Sequence, residues 1–261
     1  MSLLSEIFSD LFARQDNILT RVDARTKLIV ALGTLCAVVF SKTPMFPLAV
    51  MLLCLAATIA VGVPKRLVAL RLAAPLGIAS VLLVLQSIMV GATPLWTLSV
   101  LGAKATITRE GLLGGLLLAT RVLGGVSVML LLSSVTPAHR IFRAMRALGA
   151  PQGWVEIAML MYRYTFVLLD LTAEVTAAQK VRLGYAGLRS GLSSAGVLGG
   201  TVILRAMDQA VCTNQAMRVR GYNGNIPLGP MAPLMRRDCW IMGVGGVLEI
   251  GLFFAMEVLW N

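Results

Sequence analysis

The sequence predicts an all-α fold: a polytopic membrane helical bundle with about five transmembrane helices, extended by long cytoplasmic helices. Three observations predict it. First, the 261 residues are 57% hydrophobic and 13% charged, with a mean hydropathy of +0.83; a soluble domain carries about 25% charged residues. Second, near-continuous apolar runs of roughly 20 residues recur between short basic or proline-containing elbows. A soluble helical protein would have to bury all of them at once. Third, the basic residues cluster: segments 1–27, 63–71 and 134–238 hold 4, 3 and 12 of the 23 Lys and Arg. In a membrane protein a formal charge of +11 reads as topology and headgroup contact rather than nucleic-acid binding.

Residues 1–27 form an N-terminal cytoplasmic or interfacial segment. Leu3, Leu4, Ile7, Phe8, Leu11 and Phe12 recur at helical spacing, which fits an interfacial helix; a loosely ordered tail is the alternative. Glu6, Asp10, Asp16 and Asp23 precede the first apolar run, the reverse of a signal peptide's order. Asp23 is placed to cap the coming helix, and Arg25 and Lys27 mark a cytoplasmic border.

Residues 28–133 predict a bundle of four spans. Span 1, about 28–40, is short unless Arg25 and Lys27 snorkel and the helix extends backward. Ser41-Lys42-Thr43-Pro44 predicts a tight turn before span 2, about 45–63. Pro64-Lys65-Arg66 and Arg71 form a basic elbow, and span 3 covers about 72–90. Residues 91–109 read as a polar connection at the outer interface. Span 4, about 111–132, carries Gly111, Gly114, Gly115, Gly124 and Gly125, which let helices approach closely. It also carries Arg121, which must face the bundle interior or a partner rather than lipid. Two roles stay open for Arg121: a structural bond to a carbonyl or to a side chain such as Gln86, or a part in transport.

Residues 134–238 carry the largest share of the charge. Thr136-Pro137 reads as the N-cap and first turn of a short helix over 138–148 with Arg140, Arg143 and Arg146, ended by Gly149-Ala150-Pro151. A long helix runs from about 152 to 183. Its first half, 154–171, is nearly apolar but interrupted by Arg163 and Asp170, so it either crosses the membrane or lies against the bundle. The Gly/Ser-rich stretch 184–200 predicts a bend, and the next helix is expected at about 202–220, with Arg205 and Asp208 at pairing distance i, i+3. Pro227, Pro230 and Pro233 forbid a regular helix after it. Residues 239–261 form the last span, with Trp240 and Trp260 as interface anchors. Lys27, Lys65, Arg66, Arg236 and Arg237 then lie inside, which places the N-terminus in the cytoplasm and the C-terminus outside.

Several chemistries lack their residues. The sequence has no glycine-rich Gly-Lys-Ser/Thr loop for a nucleotide. His139 is the only histidine, and Cys36, Cys54, Cys212 and Cys239 lack metal or redox spacing, so no catalytic set, cofactor or metal site is expected. The spans hold almost no acids, Glu249 and Glu257 falling in the last one, and Arg121 and Glu249 alone make a thin case for an ion-coupled path.

Two endings differ from this background: Lys180-Val181-Arg182-Leu183-Gly184-Tyr185 and Arg218-Val219-Arg220-Gly221-Tyr222. Each puts an arginine at the C-terminal end of a helix, where the helix dipole favours a cation. A guanidinium fork projecting from a helix end suits a partner groove lined by carboxylates and carbonyls. Ordinary C-capping with positive-inside bias accounts for the same pattern without a partner.

These endings, together with Asp23-Ala24-Arg25-Thr26-Lys27, Thr120-Arg121, Leu148-Gly149-Ala150-Pro151 and Met161-Tyr162-Arg163-Tyr164 with Phe166, occur in a recognisable order. The chain resembles the transmembrane T component of energy-coupling factor (ECF) transporters, most closely the cobalt-type CbiQ family, over nearly its whole length. The related nickel-type component is not separable by these stretches. The resemblance implies long coupling helices whose ends bear Ala-Arg-Gly or a variant. The matching positions are Val181, Arg182 and Leu183, then Val219, Arg220 and Gly221; valine replaces both alanines, and Gly184 comes one residue late in the first. Asp23, Arg25, Arg121, Arg163, Arg205 and Asp208 are the further candidates for structural or coupling roles.

The resemblance further implies a non-catalytic scaffold in a bacterial or archaeal plasma membrane, serving cobalt uptake, or else nickel or vitamin uptake. It implies two cytoplasmic ABC-type ATPase subunits that hold ATP and Mg, and a separate CbiM-like membrane subunit that binds the substrate, with a CbiN-like small subunit as an optional member. No nucleic acid is implied. Flexibility across 184–200 would let the two coupling helices change their angle. A self-contained channel or secondary transporter, and a membrane enzyme acting on lipid, are the alternative readings.

Overall fold

A computed structural model describes residues 22–89, 94–100, 103–224, 226 and 236–260. The expected helix at 2–19, the three prolines at 227, 230 and 233, and the side chains of Arg236, Arg237 and Trp260 lie outside what it describes. The chain divides into two compact units: 1–144 with 232–261, and 145–231.

The first unit is helical. Helix α1, Ala24–Phe40, begins where the Asp23 carboxylate accepts from the Arg25 N–H at 2.9 Å and Thr26 Oγ1 donates to the Asp23 carbonyl at 2.7 Å. The predicted cap holds, and the helix does extend backward past Lys27. Helices α2, Met45–Ala60, and α3, Lys65–Met89, follow the two predicted turns. Strands β1, Pro94–Val100, and β2, Ala103–Thr108, lead into α4, Arg109–Val135, and α5, Ala138–Ala147, begins after Pro137. The unit closes with α8, Arg236–Trp260.

Its core sits where α1, α2, α4 and α8 meet: Ala31, Val38, Phe46, Val50 and Val128, with Leu252, Phe253 and Met256 packed against them. Phe46 and Phe253 meet edge to face at 5.3 Å. Outside this core the helices stay apolar. Leu52, Leu53, Leu70, Leu76 and Val81 are all exposed, the pattern of helices that face hydrocarbon. Buried hydroxyls are satisfied within their own helices: Thr120, Ser127 and Ser134 donate to carbonyls three or four residues back. Residues 65–88 of α3 and 110–135 of α4 are long and apolar enough to cross a membrane; α2 and residues 242–256 of α8 are apolar but shorter.

The span-4 glycines do what their size allows. A Cβ on Gly115 would lie 3.0 Å from the Leu83 carbonyl oxygen and 3.1 Å from its Cα, and one on Gly124 would lie 3.0 Å from the Pro47 carbonyl oxygen. Helix α4 therefore touches the backbones of α3 and α2 directly. Gly115→Ala and Gly124→Ala are each expected to destabilise the bundle by about 1–2 kcal/mol, read as a lowered melting temperature of the detergent-solubilised chain. Gly77→Ala, where nothing lies within 4 Å, is the matched control and should leave it unchanged.

Two expectations need correction here. The all-α class has an exception within the 91–109 connection, where β1 and β2 pair as an antiparallel hairpin, Trp96 opposite Ile107 and Val100 opposite Ala103, with an irregularity between Pro94 and Trp96. The segments PLWTLSV and AKATIT carry the aromatic and β-branched residues that strands favour, and proline breaks the ladder at its edge. Thr136 does not cap α5 through its side chain. It is instead the C-cap of α4, donating its N–H to the Leu132 carbonyl, and its buried Oγ1 has no hydrogen-bond partner.

The second unit is built on α6, Gln152–Val181, and α7, Leu188–Val219. The two helices run back against each other. Gln179 Nε2 donates to the Ser194 carbonyl at 2.9 Å near the turn, and the Tyr164 and Thr213 hydroxyls meet at 2.6 Å further along. The expected bend over 184–200 is corrected: α7 is helical from Leu188, so Gly191, Gly196, Gly199 and Gly200 lie inside it. Helix propensity is a weak local prior, and here the chain is turned by the short 182–187 segment alone.

Candidate functional site

The two arginine endings have the same local construction. Arg182 is the C-cap of α6 at φ −86°, ψ 15°, and Arg220 is the C-cap of α7 at φ −85°, ψ 9°. After each comes a residue with positive φ: Leu183 at 57° and Gly221 at 79°. After α6, the Leu183 N–H donates to the Lys180 carbonyl at 3.1 Å and the Gly184 N–H to the Gln179 carbonyl at 2.8 Å. After α7, the Gly221 N–H donates to Arg218 at 3.0 Å and the Tyr222 N–H to Met217 at 3.0 Å. Both are Schellman caps, and the backbone satisfies the last carbonyls without the arginine side chains.

This geometry explains the glycine that the sequence places one residue late. Leu183, not Gly184, occupies the left-handed position that Gly221 fills in the second ending, at a cost of about 1–2 kcal/mol for an L-residue. Gly184 is glycine for another reason. A Cβ there would lie 2.6 Å from Ser194 Oγ and 3.0 Å from the Gln179 carbonyl oxygen.

Both arginines are exposed. Their apolar neighbours are exposed too: Val181 at 86%, Leu183 at 74% and Val219 at 90%. Each ending thus sets a guanidinium beside exposed apolar surface, Val181 and Leu183 at the first and Val219 at the second, a pattern common at protein interfaces.

The turn between the two helices is tied down. The Gly184 carbonyl accepts from Ser190 Oγ at 2.9 Å and from Ser194 Oγ at 2.8 Å. Tyr185 OH donates to Gln179 Oε1 at 2.7 Å, and Gln179 also holds the Ser194 carbonyl. Sequence reasoning missed Gln179, Ser190 and Ser194. The signal was present as serines six and ten residues after Gly184, but composition alone reads them as flexible.

The remaining candidates separate. Asp23 caps α1 through the Arg25 N–H. Arg121 Nη2 donates to the carbonyl of Ser41, the C-cap residue of α1, so the partner is a carbonyl; Gln86 lies instead against Gly114. Arg205 and Asp208 lie exposed a turn apart on α7. Arg163 lines a cleft of 1040 Å³ in the second unit, as do Arg146, Arg220, Tyr164, Gln209 and Thr213. At its edge Arg146 Nη2 donates to Gln152 Oε1 at 3.2 Å, Gln152 Nε2 donates to Glu156 Oε1 at 2.6 Å, and the Ile226 N–H donates to the same carboxylate oxygen at 3.0 Å. Among the described residues no group of three or more His, Cys, Asp or Glu is placed to hold a metal.

Comparison with known proteins adds the following. A family model named CbiQ and described as cobalt transport protein matches residues 15–229. An uncharacterized protein of Methanocaldococcus jannaschii is 34% identical over 213 residues, 81% of this chain and 80% of that protein. A putative fused cobalt transport protein CbiMQ of Methanocorpusculum labreanum is 29% identical over 226 residues, 83% of this chain and 37% of that protein. The cobalt transport protein CbiQ of Rhodobacter capsulatus is 33% identical over 95 residues, 36% of this chain and 39% of that protein.

Proposed function

The chain belongs to the CbiQ cobalt transport protein family, and from that premise we propose that it is the scaffold and coupling subunit of an ECF-type ABC importer for cobalt. One observation carries the reading. Two helices end in matching caps, each presenting an exposed arginine next to an exposed valine. The capping bonds are made by backbone, so capping needs neither the Arg182 nor the Arg220 side chain. Two equivalent ends in one chain fit two copies of one ATPase subunit. A relative whose name joins CbiM to CbiQ supports a CbiM-like substrate-binding partner.

In this reading the bundle sits in the plasma membrane as five spans with the N-terminus inside and the C-terminus outside. ATP and Mg stay with the ATPase subunits, and the substrate stays with the CbiM-like subunit. Closure of the ATPase pair displaces Arg182 and Arg220, seated in one groove each. Because the α6–α7 turn is tied by Gln179, Ser190 and Ser194, the two helices carry that displacement as one hairpin rather than flexing at their junction. The bundle then passes the motion to the substrate-binding subunit.

Reconstitution tests the reading. The chain alone in phospholipid vesicles is expected to move no radioactive cobalt, with or without ATP. Together with its ATPase and CbiM-like subunits it should accumulate cobalt only when ATP is supplied. Cobalt movement by the chain alone would instead establish a self-contained channel or transporter.

A further inference from the structure

We propose that the α6–α7 cleft is a binding site for the phosphate of an anionic membrane lipid. Two guanidinium groups outside the helix endings, Arg146 and Arg163, line one cavity of 1040 Å³, and Tyr164, Gln209 and Thr213 line it with them; Arg220 borders the same cavity and keeps the docking role proposed above. Guanidinium forks match phosphate oxygens in charge and geometry, and hydroxyl and amide donors complete such a site. Among the described residues no acidic residue lines the cavity. The nearest acid in the hydrogen-bond network, Glu156, is buried and already accepts from Gln152 and the Ile226 N–H. The described lining therefore carries net positive charge.

A membrane source is favoured over a soluble one by what adjoins the cleft on α6. Trp154, Ile157 and Met161 are exposed at 78%, 59% and 66%. At spacings of three and four residues they share one helix face, next to the face that carries Leu160, Arg163 and Tyr164 into the cleft. An arginine pocket beside an apolar stripe holding a tryptophan matches a lipid, headgroup to the arginines and acyl chains along the stripe. The cytoplasmic leaflet is the anionic one, and it is the leaflet that a basic juxtamembrane segment meets. This inference needs the chain to be a membrane protein but does not rest on ATPase docking.

The test uses the full chain in detergent, titrated with phosphatidylglycerol, with phosphatidylcholine of the same acyl chains, or with inorganic phosphate, and read by native mass spectrometry. Phosphatidylglycerol is expected to bind in preference to phosphatidylcholine. Arg146→Gln and Arg163→Gln should each weaken phosphatidylglycerol binding by about fivefold, and Arg163→Lys should retain most of it. Arg189→Gln, exposed and outside the cleft, is the control and should not change it. Equal binding of the two lipids, or equal loss in the Arg189→Gln control, overturns the proposal. So does inorganic phosphate that binds as tightly as the lipid, which makes the cleft a site for a soluble anion. If instead no lipid is retained and Arg146→Gln or Arg163→Gln releases a copurifying ATPase, the cleft is part of a protein interface and the lipid site is refuted. Failure of the unaltered chain to copurify with any ATPase subunit, with phosphatidylglycerol still preferred, would count against the function proposed above and leave this inference standing.

Discussion

Replacing Arg182 and Arg220 together with alanine is expected to abolish recovery of the ATPase subunits with this chain and to reduce ATP-dependent cobalt uptake to background. The size follows from the interface. An arginine seated in a desolvated groove typically contributes about 2 kcal/mol or more, a factor of roughly 30 in affinity. With both ends disabled the two losses multiply toward a thousandfold. Either single substitution should be milder, because the remaining end still holds an ATPase pair that is itself associated. The fold should survive, since both arginines are exposed and the Schellman bonds at Leu183, Gly184, Gly221 and Tyr222 are made by backbone; exposed substitutions of this kind usually stay within about 0.5 kcal/mol. Lysine separates docking from capping. If the arginines serve only the helix dipole, Arg182→Lys with Arg220→Lys keeps the charge and changes nothing. If they fill grooves through the five-donor fork, the lysine pair loses most of the binding that the alanine pair loses. A double alanine variant that assembles and transports normally would remove the basis for calling these ends coupling sites.

How far the sequence could be read depended on whether each interaction was local. The Asp23 cap, the glycines of α4 and the stop at Gly149 depend on residues a few positions apart or on side-chain size, and each appears where the pattern places it. Arg121 could be flagged as needing a carbonyl or polar partner but not assigned one. Its acceptor, Ser41, lies 80 residues away, and no periodicity links the two. The hairpin of β1 and β2 was hidden because six or seven residues of mixed character between two spans read simply as a polar connection. The stretch 184–200 misled in the opposite direction. Its glycines and serines have low helix propensity, yet Ser190 and Ser194 bond to the Gly184 carbonyl, and the helix continues through the glycines that follow. The likeness of the two endings was legible, but its basis was not: Leu183 hides in the left-handed position where the second ending has glycine.

Gly184→Val is the substitution that decides whether the α6–α7 hairpin moves as one piece. The new side chain would start from a Cβ 2.6 Å from Ser194 Oγ and 3.0 Å from the Gln179 carbonyl oxygen. Ser194 can rotate away only by giving up its bond to the Gly184 carbonyl, and the Gln179 carbonyl is backbone that also accepts from the Gly184 N–H. Overpacking with the loss of these bonds should destabilise the hairpin by about 3 kcal/mol or more, seen as a separate early transition when the detergent-solubilised chain is melted and followed by far-ultraviolet circular dichroism. Gly184→Ala with Ser194→Ala relieves the first clash and not the second, so it should recover part of the loss and not all of it. Transport should fall in the same order, because a loosened turn no longer holds Arg182 in register with the helix that carries Arg220. A flexible junction predicts the reverse: a bulkier residue at 184 would be absorbed by a turn that already samples many shapes, the melting profile would stay unchanged, and a disulfide placed across the turn would stop uptake. Under the tied turn described here, that same disulfide locks a geometry the hairpin already holds, and uptake should persist.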